Sequence, residues 1–438
     1  NLTGSMYLLD EPSVGLHPRD TANLISALKK LRNLGNTVIL VEHEEEVIKH
    51  ADFLVDMGPE AGIMGGEVIF TGNYTDIETS PVNNSLTIDY LLGRKKIEVP
   101  SQRRVSRSFL KMEKVNLHNL KDVDVTIPLN CIVCVTGVSG SGKSSLIKGV
   151  LYPTLENAIQ NDLTEASTNF IQRLSGDIKR INKVEMIDQQ PIGKSSRSNP
   201  VTYVKAYDYI RDLFTSQPMS KLRGFKPKHF SFNVEGGRCE TCKGEGVTVV
   251  DMQFLADVTL VCEECKGMRF KNEVLDVKYK DKNIFDVLEM DIMEAVTFFE
   301  GNNEIINRIM PLYEIGLGYV RLGQSSSSLS GGEAQRVKLA SFLTKENKVA
   351  HTLFIFDEPT TGLHFEDVRK LLIAFNKLIE KGNSIIIVEH NMEVIKSSDY
   401  LIDIGPEGGA EGGEILYQGV PEGLLKVKKS HTAKYLKV

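Results

Sequence analysis

The stretch Gly137-Val-Ser-Gly-Ser-Gly142-Lys143-Ser144 has the residue types and spacing of a loop that cradles phosphate groups. Gly137, Gly140 and Gly142, with the small Ser139 between them, let backbone N–H groups turn inward around an anion. Lys143 is placed to reach the β- and γ-phosphates of ATP, Ser144 to hold Mg2+, and Ser145 closes the loop. The apolar run Cys131-Ile-Val-Cys-Val-Thr136 leads in as a strand, and Leu146, Ile147, Val150 and Leu151 follow at helical spacing. A strand feeding a helix N-terminus is the context this loop needs.

Leu353-Phe-Ile-Phe-Asp357-Glu358 is an apolar strand ending in two carboxylates. Such a continuous run suits a strand buried on both faces. Asp357 would reach the Mg2+ shell, and Glu358 would orient or deprotonate an attacking water. His390 follows another apolar strand, Ser384-Ile-Ile-Ile-Val388, so it comes to the same sheet edge, near a γ-phosphate. Between these motifs lies Leu329-Ser330-Gly331-Gly332-Glu333. Ser330 with the amides of Gly331 and Gly332 forms a second anion-binding helix start. Two such starts exceed what one nucleotide needs, so the second is expected to read the nucleotide of a partner module.

Four cysteines form a metal pattern: Cys239-x-x-Cys242, nineteen residues, then Cys262-x-x-Cys265. Paired knuckles of this kind bind Zn2+ with four sulfur ligands, which leaves no open position and makes the metal structural. A redox-active pair or an iron–sulfur centre is the alternative open to thiolate clusters. Cys131 and Cys134 lie three apart on a strand and point to opposite faces, so they cannot share a metal and read as buried structural residues.

The elements that position these groups are written twice. Asp10-Glu11-Pro12 recurs as Asp357-Glu358-Pro359, Gly15-Leu16-His17 as Gly362-Leu363-His364, and Glu42-His43 as Glu389-His390. Gly58-Pro59-Glu60 recurs as Gly405-Pro406-Glu407, and every pair is 347 residues apart. Repetition at one ungapped register marks two related modules. The first keeps a site remnant, Asp10, Glu11 and His43, without a phosphate loop ahead of it. The expected division is 1–93 for the rear of a first module, 94–108 for a polar, basic linker, 109–189 with 326–438 for a second module, and 190–325 for an insert. Within the insert, Ile284–Leu288 and Ala295–Phe299 read as helices with an apolar stripe.

With 41% apolar and 25% charged residues, the 438-residue chain can build two or three cores and lacks a membrane-length apolar run. The first residues have neither the basic nor the apolar part of a signal peptide and look like a cut end. The net charge of −6 argues against a globally basic nucleic-acid binder. Any such surface must be local, and residues 194–228 offer one: eight lysines and arginines against two aspartates, interleaved with Tyr203, Tyr207, Tyr209, Phe225 and, just beyond, Phe230 and Phe232. This stretch reads either as a surface for a phosphate backbone or as a solvated face over core aromatics. The candidate DNA contacts are Arg223, Lys226, Lys228, Arg238, Lys266, Arg269 and Lys271.

The phosphate loop, L-S-G-G-E, paired carboxylates and following histidine together resemble the ABC-type ATPases, in which two modules pair head to tail around two ATP molecules. Asp188-Gln189-Gln190-Pro-Ile-Gly193, Arg197-Ser-Asn-Pro200, Phe230-Ser-Phe-Asn233, Gly236-Gly-Arg-Cys239 and Gly316-Leu-Gly-Tyr-Val-Arg-Leu-Gly-Gln324 narrow the resemblance to the UvrA family. The resemblance implies an α/β fold of P-loop ABC modules with an inserted zinc-binding α+β domain. It implies ATP, Mg2+ and Zn2+, double-stranded damaged DNA and UvrB as partners, a homodimer of the full-length protein, no membrane and a cytoplasmic location. It assigns Gln189 to the glutamine that couples nucleotide state to the insert, with Gln190 one register away. A transporter subunit would leave the 184 residues between Ser144 and Leu329 unexplained. A zinc-stabilised binding module with a vestigial ATP site would not need Lys143, Asp357, Glu358 and His390. A divergent paralogue of this family with another DNA-related or resistance role is the remaining alternative.

Overall fold

The computed structural model describes residues 3–59, 62, 65–78, 84–193, 197–250, 252, 258–344 and 351–436. Glu60 and Lys194 lie outside them. The chain divides into two compact units, Asn1–Asp188 with Glu346–Val438, and Gln189–Lys345.

The strand Ile132–Thr136 is buried at every residue because it sits inside a six-stranded sheet. The strand order is Lys183–Ile187, Thr352–Asp357, Ser384–Val388, Ile132–Thr136, Tyr400–Gly405, Glu414–Gly419. The first five run parallel and the last is antiparallel. Parallel neighbours bring the strand ends that carry the phosphate loop, Asp357 and His390 to one edge. Cys131 packs in the core on one side of this sheet and Cys134 in the core on the other, as their spacing requires. A four-stranded antiparallel sheet, built around Phe109–Val115, continues the first of these cores.

The first repeat forms the same elements in two separate pieces: Met6–Asp10 paired with Thr37–Val41, and Leu54–Gly58 paired with Glu67–Gly72. In the second repeat Ile132–Thr136 lies between the matching pairs, and it has no counterpart among the described residues of the first. Burial records the difference. Met6, Leu8, Ile39, Val41, Val55 and Met57 are 43–73% exposed, whereas their counterparts Leu353, Ile355, Ile386, Val388, Ile402 and Ile404 are at most 1% exposed. The Gly58–Pro59 and Gly405–Pro406 peptide bonds are both cis. The connecting segment is pinned by its arginines: Arg104 bonds Asp399 at 3.0 Å, and Arg103 pairs with Glu422.

The second unit is helical around a phenylalanine core that includes Phe214, Phe230, Phe232, Phe270 and Phe299. The stripes read from the sequence appear as helices Ile284–Glu289 and Ile292–Phe298. One antiparallel hairpin, Val247–Val250 with Val258–Val261, lies between the two cysteine pairs. The L-S-G-G-E segment and its helix Gly331–Thr344 fall in this unit.

Candidate functional site

The phosphate loop owes its shape to contacts that only glycine allows. Gly137 has φ +135°, and a Cβ there would stand 2.0 Å from the Ile404 carbonyl oxygen. Gly142 has φ +115° and a Cβ would meet Leu120 at 2.9 Å. Lys143 is folded back: its Nζ donates to the carbonyl oxygens of Gly137 and Val138, both at 2.9 Å. Burial draws its pKa down to about 8, against the opposing pull of Glu358 and Asp403. Ser145 Oγ bonds His118 Nδ1 at 3.1 Å. The helix behind opens with a π-helical turn, Ser145–Leu151, before Tyr152–Gln160.

Asp357 ends its strand at the same edge, where Lys148 of the loop's own helix pairs with it. Glu358 follows at φ +44°, and Glu11, its counterpart, has the same φ. Burial first, then the neighbouring carboxylates Asp357 and Glu389, raise the Glu358 pKa. A carboxylate so placed is a better proton acceptor than one in open water. His390 Nε2 lies 3.7 Å from Glu358 Oε1, and His43 Nε2 lies 3.5 Å from Glu11 Oε1. Glu389 holds this corner: it accepts from the backbone N–H groups of Thr360, His390 and Asn391 at 2.6–2.9 Å. Burial, then Lys143 and His17, push the His390 pKa down to about 2, so its imidazole is neutral. A cavity of about 620 Å³ opens between the repeats, with Glu11, Gly15 and His43 on one wall and Glu358, Gly362 and His390 on the other.

Ser330 caps its own helix in a reciprocal box: Glu333 N–H donates to Ser330 Oγ at 3.2 Å and Ser330 N–H to Glu333 Oε2 at 2.8 Å. Gly331 packs on Gln189, whose Cβ would be 3.0 Å from a Cβ on the glycine. Gly332 follows in the first turn.

Cys239, Cys242, Cys262 and Cys265 converge, with all four Sγ atoms within 4.8 Å of one another and all four residues buried. Cys239 and Cys262 are 3.9 Å apart, and Cys242 and Cys265 3.6 Å. Four thiolates at about 2.3 Å from one zinc stand roughly 3.8 Å apart, so the set fits the ion. Each pair is followed by a lysine and a glycine at positive φ, Lys243-Gly244 and Lys266-Gly267. These turns aim backbone N–H groups at sulfur. Gly246 N–H reaches Cys242 Sγ at 3.3 Å, and the Cys265 N–H draws the Cys262 pKa down to about 7.

The candidate DNA contacts divide. Lys226, Lys228 and Lys266 are exposed and carry no ion pair among the described residues. Arg223 pairs with Asp276 and Lys271 with Glu240. Arg238 bonds the Asn233 carbonyl at 3.0 Å, and Arg269 lies over the Phe232 ring and reaches the Gly323 carbonyl. Tyr207, Phe230 and Phe232 are buried, so these aromatics of the basic stretch belong to the core.

Sequence reasoning missed two features. Lys148, on the helix that follows the phosphate loop, was not singled out; its pairing with Asp357 crosses from helix to sheet. A second element of the repeat, Ser85-Leu-Thr-Ile-Asp-Tyr-Leu91 against Ser430-His-Thr-Ala-Lys-Tyr-Leu436, is offset by 345 residues instead of 347. The recurrence of S-x-T-x-x-Y-L was the available signal.

No family model matches the chain. It is 50% identical over 437 residues to UvrABC system protein A of Aquifex aeolicus, covering 100% of this chain and 46% of that protein. It is also 50% identical over 439 residues to UvrABC system protein A of Clostridium tetani, again with 46% of that protein covered. The crystal structure of UvrA2 from Deinococcus radiodurans superposes with a TM-score of 0.90 at 44% identity, covering 99% of this chain and 52% of that one. A model of ribosome-bound archaeal Pelota and ABCE1 matches with a TM-score of 0.50 at 18% identity and shares the fold alone. The chain spans about half the length of the curated relatives it matches. The likeness to UvrA drawn from its motifs thus extends over the whole chain, and the fold is that of ABC-type ATPases.

Proposed function

We propose that this chain, similar throughout its length to UvrABC system protein A, is the part of an excision-repair ATPase that carries one complete ATP module and the rear of another. The observation that carries the reading is the convergence of Lys143, Asp357, Glu358 and His390 at one sheet edge, with Glu358 and His390 lining a cavity opposite the matched Glu11 and His43. In this reading Gly137, Ser139, Gly140, Gly142, Lys143, Ser144 and Ser145 hold the ATP phosphates. Ser144 and Asp357 hold Mg2+, Glu358 activates water, and His390 and Gln189 sense the γ-phosphate. Ser330, Gly331 and Gly332 read the nucleotide of a partner module. When bound, the magnesium ion neutralises charge developing on the phosphates.

The four cysteines hold one structural zinc, and the ATP cycle regulates binding of damaged duplex DNA and its transfer to UvrB. The full-length protein acts as a homodimer in the cytoplasm. The module comprises 109–189 and 326–438, with the insert at 190–325 between them. Identity of 50% across this chain to proteins named UvrABC system protein A supports this reading over a divergent paralogue with another DNA-related or resistance role.

The chain alone should bind ATP and hydrolyse it poorly, because removal of such oxyanion donors typically costs about 10²–10³ in rate. Titration with Mg–ATP, beside turnover with and without Glu358→Gln, tests this. Brisk turnover by the monomeric chain, abolished by Glu358→Gln, would disprove the composite site.

A further inference from the structure

His17 and His364 are repeat partners, and each does the same three things. Each caps the helix that follows it: the Arg19 N–H donates to His17 Nδ1 and the Glu366 N–H to His364 Nδ1, both at 3.2 Å. With Nδ1 accepting, a neutral ring carries its proton on Nε2. Each Nε2 then meets a threonine of the other repeat, His17 with Thr432 Oγ1 at 3.1 Å and His364 with Thr87 Oγ1 at 3.2 Å. Each ring also stands edge-on to a tyrosine one turn along the same short helix. His17 is 6.1 Å from Tyr435 and His364 is 6.1 Å from Tyr90.

The receiving helices, His431–Tyr435 and Leu86–Leu91, are built alike. Ser430 Oγ accepts the Ala433 N–H and Ser85 Oγ the Ile88 N–H. Their flanks differ: Arg19 pairs with Glu407 beside His431, whereas Glu366 accepts from the Tyr90 hydroxyl at 2.8 Å. The histidine–threonine–tyrosine set is what both repeats share. Chance packing would not produce it twice with the roles of the repeats exchanged.

The contact leads into the complete ATP site. Thr432 Oγ1, accepting from His17, donates to Asp403 Oδ1 at 3.2 Å. Asp403 is buried on the strand hydrogen-bonded to Ile132–Thr136, opposite Thr136. The His17 ring itself is fully buried and edge-on to the His390 ring at 5.8 Å. His17 belongs to the first repeat, yet it touches the histidine and the terminal helix of the second.

We infer that His17 is a positioning residue acting across the repeats: it is gripped by the second repeat's terminal helix and sets the histidine of that repeat's site, His390, while His364 is held by the first repeat's terminal helix in the same way. The inference rests on the reading of the Lys143 site as an ATP site. It makes Thr432 and Tyr435, on a short helix far along the chain from every motif, part of the nucleotide machinery.

Two substitutions separate positioning from mere support in the chain as it stands. His17→Asn keeps an N-cap, since asparagine is among the best capping residues, but is too short to reach Thr432. Thr432→Val keeps the shape and removes the hydroxyl, and Thr432→Ser restores it. Calorimetric titration with Mg–ATP should show about three- to tenfold weaker binding for His17→Asn and for Thr432→Val, the scale of one lost hydrogen bond. His17→Asn, which leaves part of a buried ring's space empty, should also lower the thermal midpoint, whereas Thr432→Ser should keep wild-type binding and a midpoint near wild type. The double variant should lose less than the sum of the two single losses, because both remove the His17–Thr432 bond, and Thr432→Val alone also removes the bond to Asp403. Wild-type affinity in both single variants, or strictly additive losses, would overturn the inference. If the wild-type chain binds no ATP and Lys143→Ala changes nothing, the ATP-site reading itself fails, and the positioning role falls with it.

Discussion

Gly15 of the first repeat lies against Glu358 of the second, where a Cβ on the glycine would stand 3.2 Å from Glu358 Oε2. The reverse holds as well, with a Cβ on Gly362 2.8 Å from Glu11 Oε2. Both glycines are in the left-handed region, at φ +70° and +66°. The repeats thus press backbone against each other's carboxylate, Glu358 and Glu11, at positions that exclude a side chain twice over, by conformation and by space.

Gly15→Ala should therefore cost about 1–2 kcal/mol from the left-handed conformation and also displace the Glu358 carboxylate. The expected outcome is a lowered thermal midpoint together with a larger loss in ATP turnover by the full-length protein than in ATP affinity. Turnover that falls only in proportion to affinity would show that the glycine does not touch the hydrolytic step.

Much of this arrangement was legible in the sequence, for a physical reason. The phosphate loop, the paired carboxylates after an apolar strand and the cysteine knuckles each encode a local backbone geometry, so spacing alone reports it. The placing of His390 beside Asp357 was legible too, because parallel strands bring their ends to one edge, whereas the strand order itself was not. What was not legible depends on long-range packing. Lys148 meets Asp357 across a helix–sheet interface that no spacing rule describes. Thr87 and Thr432 stayed hidden because the repeat slips by two residues before them. The aromatics at 207–232 gave equal support to a core and to a binding surface, and only burial separates the two: Tyr207, Phe230 and Phe232 went to the core while Lys226 and Lys228 stayed outside.

Zinc should be integral to the second unit. The buried thiols at 3.6–3.9 Å contacts predict about one zinc per chain in protein purified without added metal. Apparent binding energies of structural zinc are on the order of 10–16 kcal/mol, so Cys262→Ser or strong chelation should lose the metal and unfold the Cys239–Cys265 region. Metal analysis with limited proteolysis checks this. A metal-free chain that resists the protease as the wild type does would remove the zinc assignment.

ATP binding should take up protons in mildly alkaline solution. Burial holds the Lys143 ammonium at about 8, against an ordinary 10.5. The folded, nucleotide-free group therefore loses its charge as pH rises through 8, while phosphate oxygens beside it would restore a higher value. Uptake should be near zero at pH 6.5, where Lys143 is charged in both states, and should grow above pH 8. For folding alone the sign is separate: a lowered lysine pKa costs stability while the group is charged, and the cost fades as pH rises from 8 towards 10.5. Titrations in buffers of different ionisation enthalpy measure the uptake, and Lys143→Ala should abolish it together with binding.

The seven candidate DNA contacts should no longer behave alike. Lys226, Lys228 and Lys266 are exposed without ion pairs among the described residues, so replacing them with alanine should leave the fold unchanged. If they meet phosphates, each loss should weaken binding to damaged and undamaged duplex alike and reduce the salt slope by about one unit. Arg238 and Arg269 are built into the second unit through the Asn233 carbonyl and the Phe232 ring. Replacing Arg269 should lower thermal stability by about 1–3 kcal/mol, by uncovering the ring and stranding the carbonyl of buried Gly323, and replacing Arg238, whose acceptor is exposed, should cost less, with any loss of DNA affinity following from that. Arg223 and Lys271 already have carboxylate partners and should show the smallest effect on either measurement. Salt titrations of the triple lysine variant against Arg269→Ala, with unfolding curves for both, discriminate the classes. Binding isotherms of the triple variant that overlay the wild type at every salt concentration would assign the basic stretch to a solvated face over a phenylalanine core.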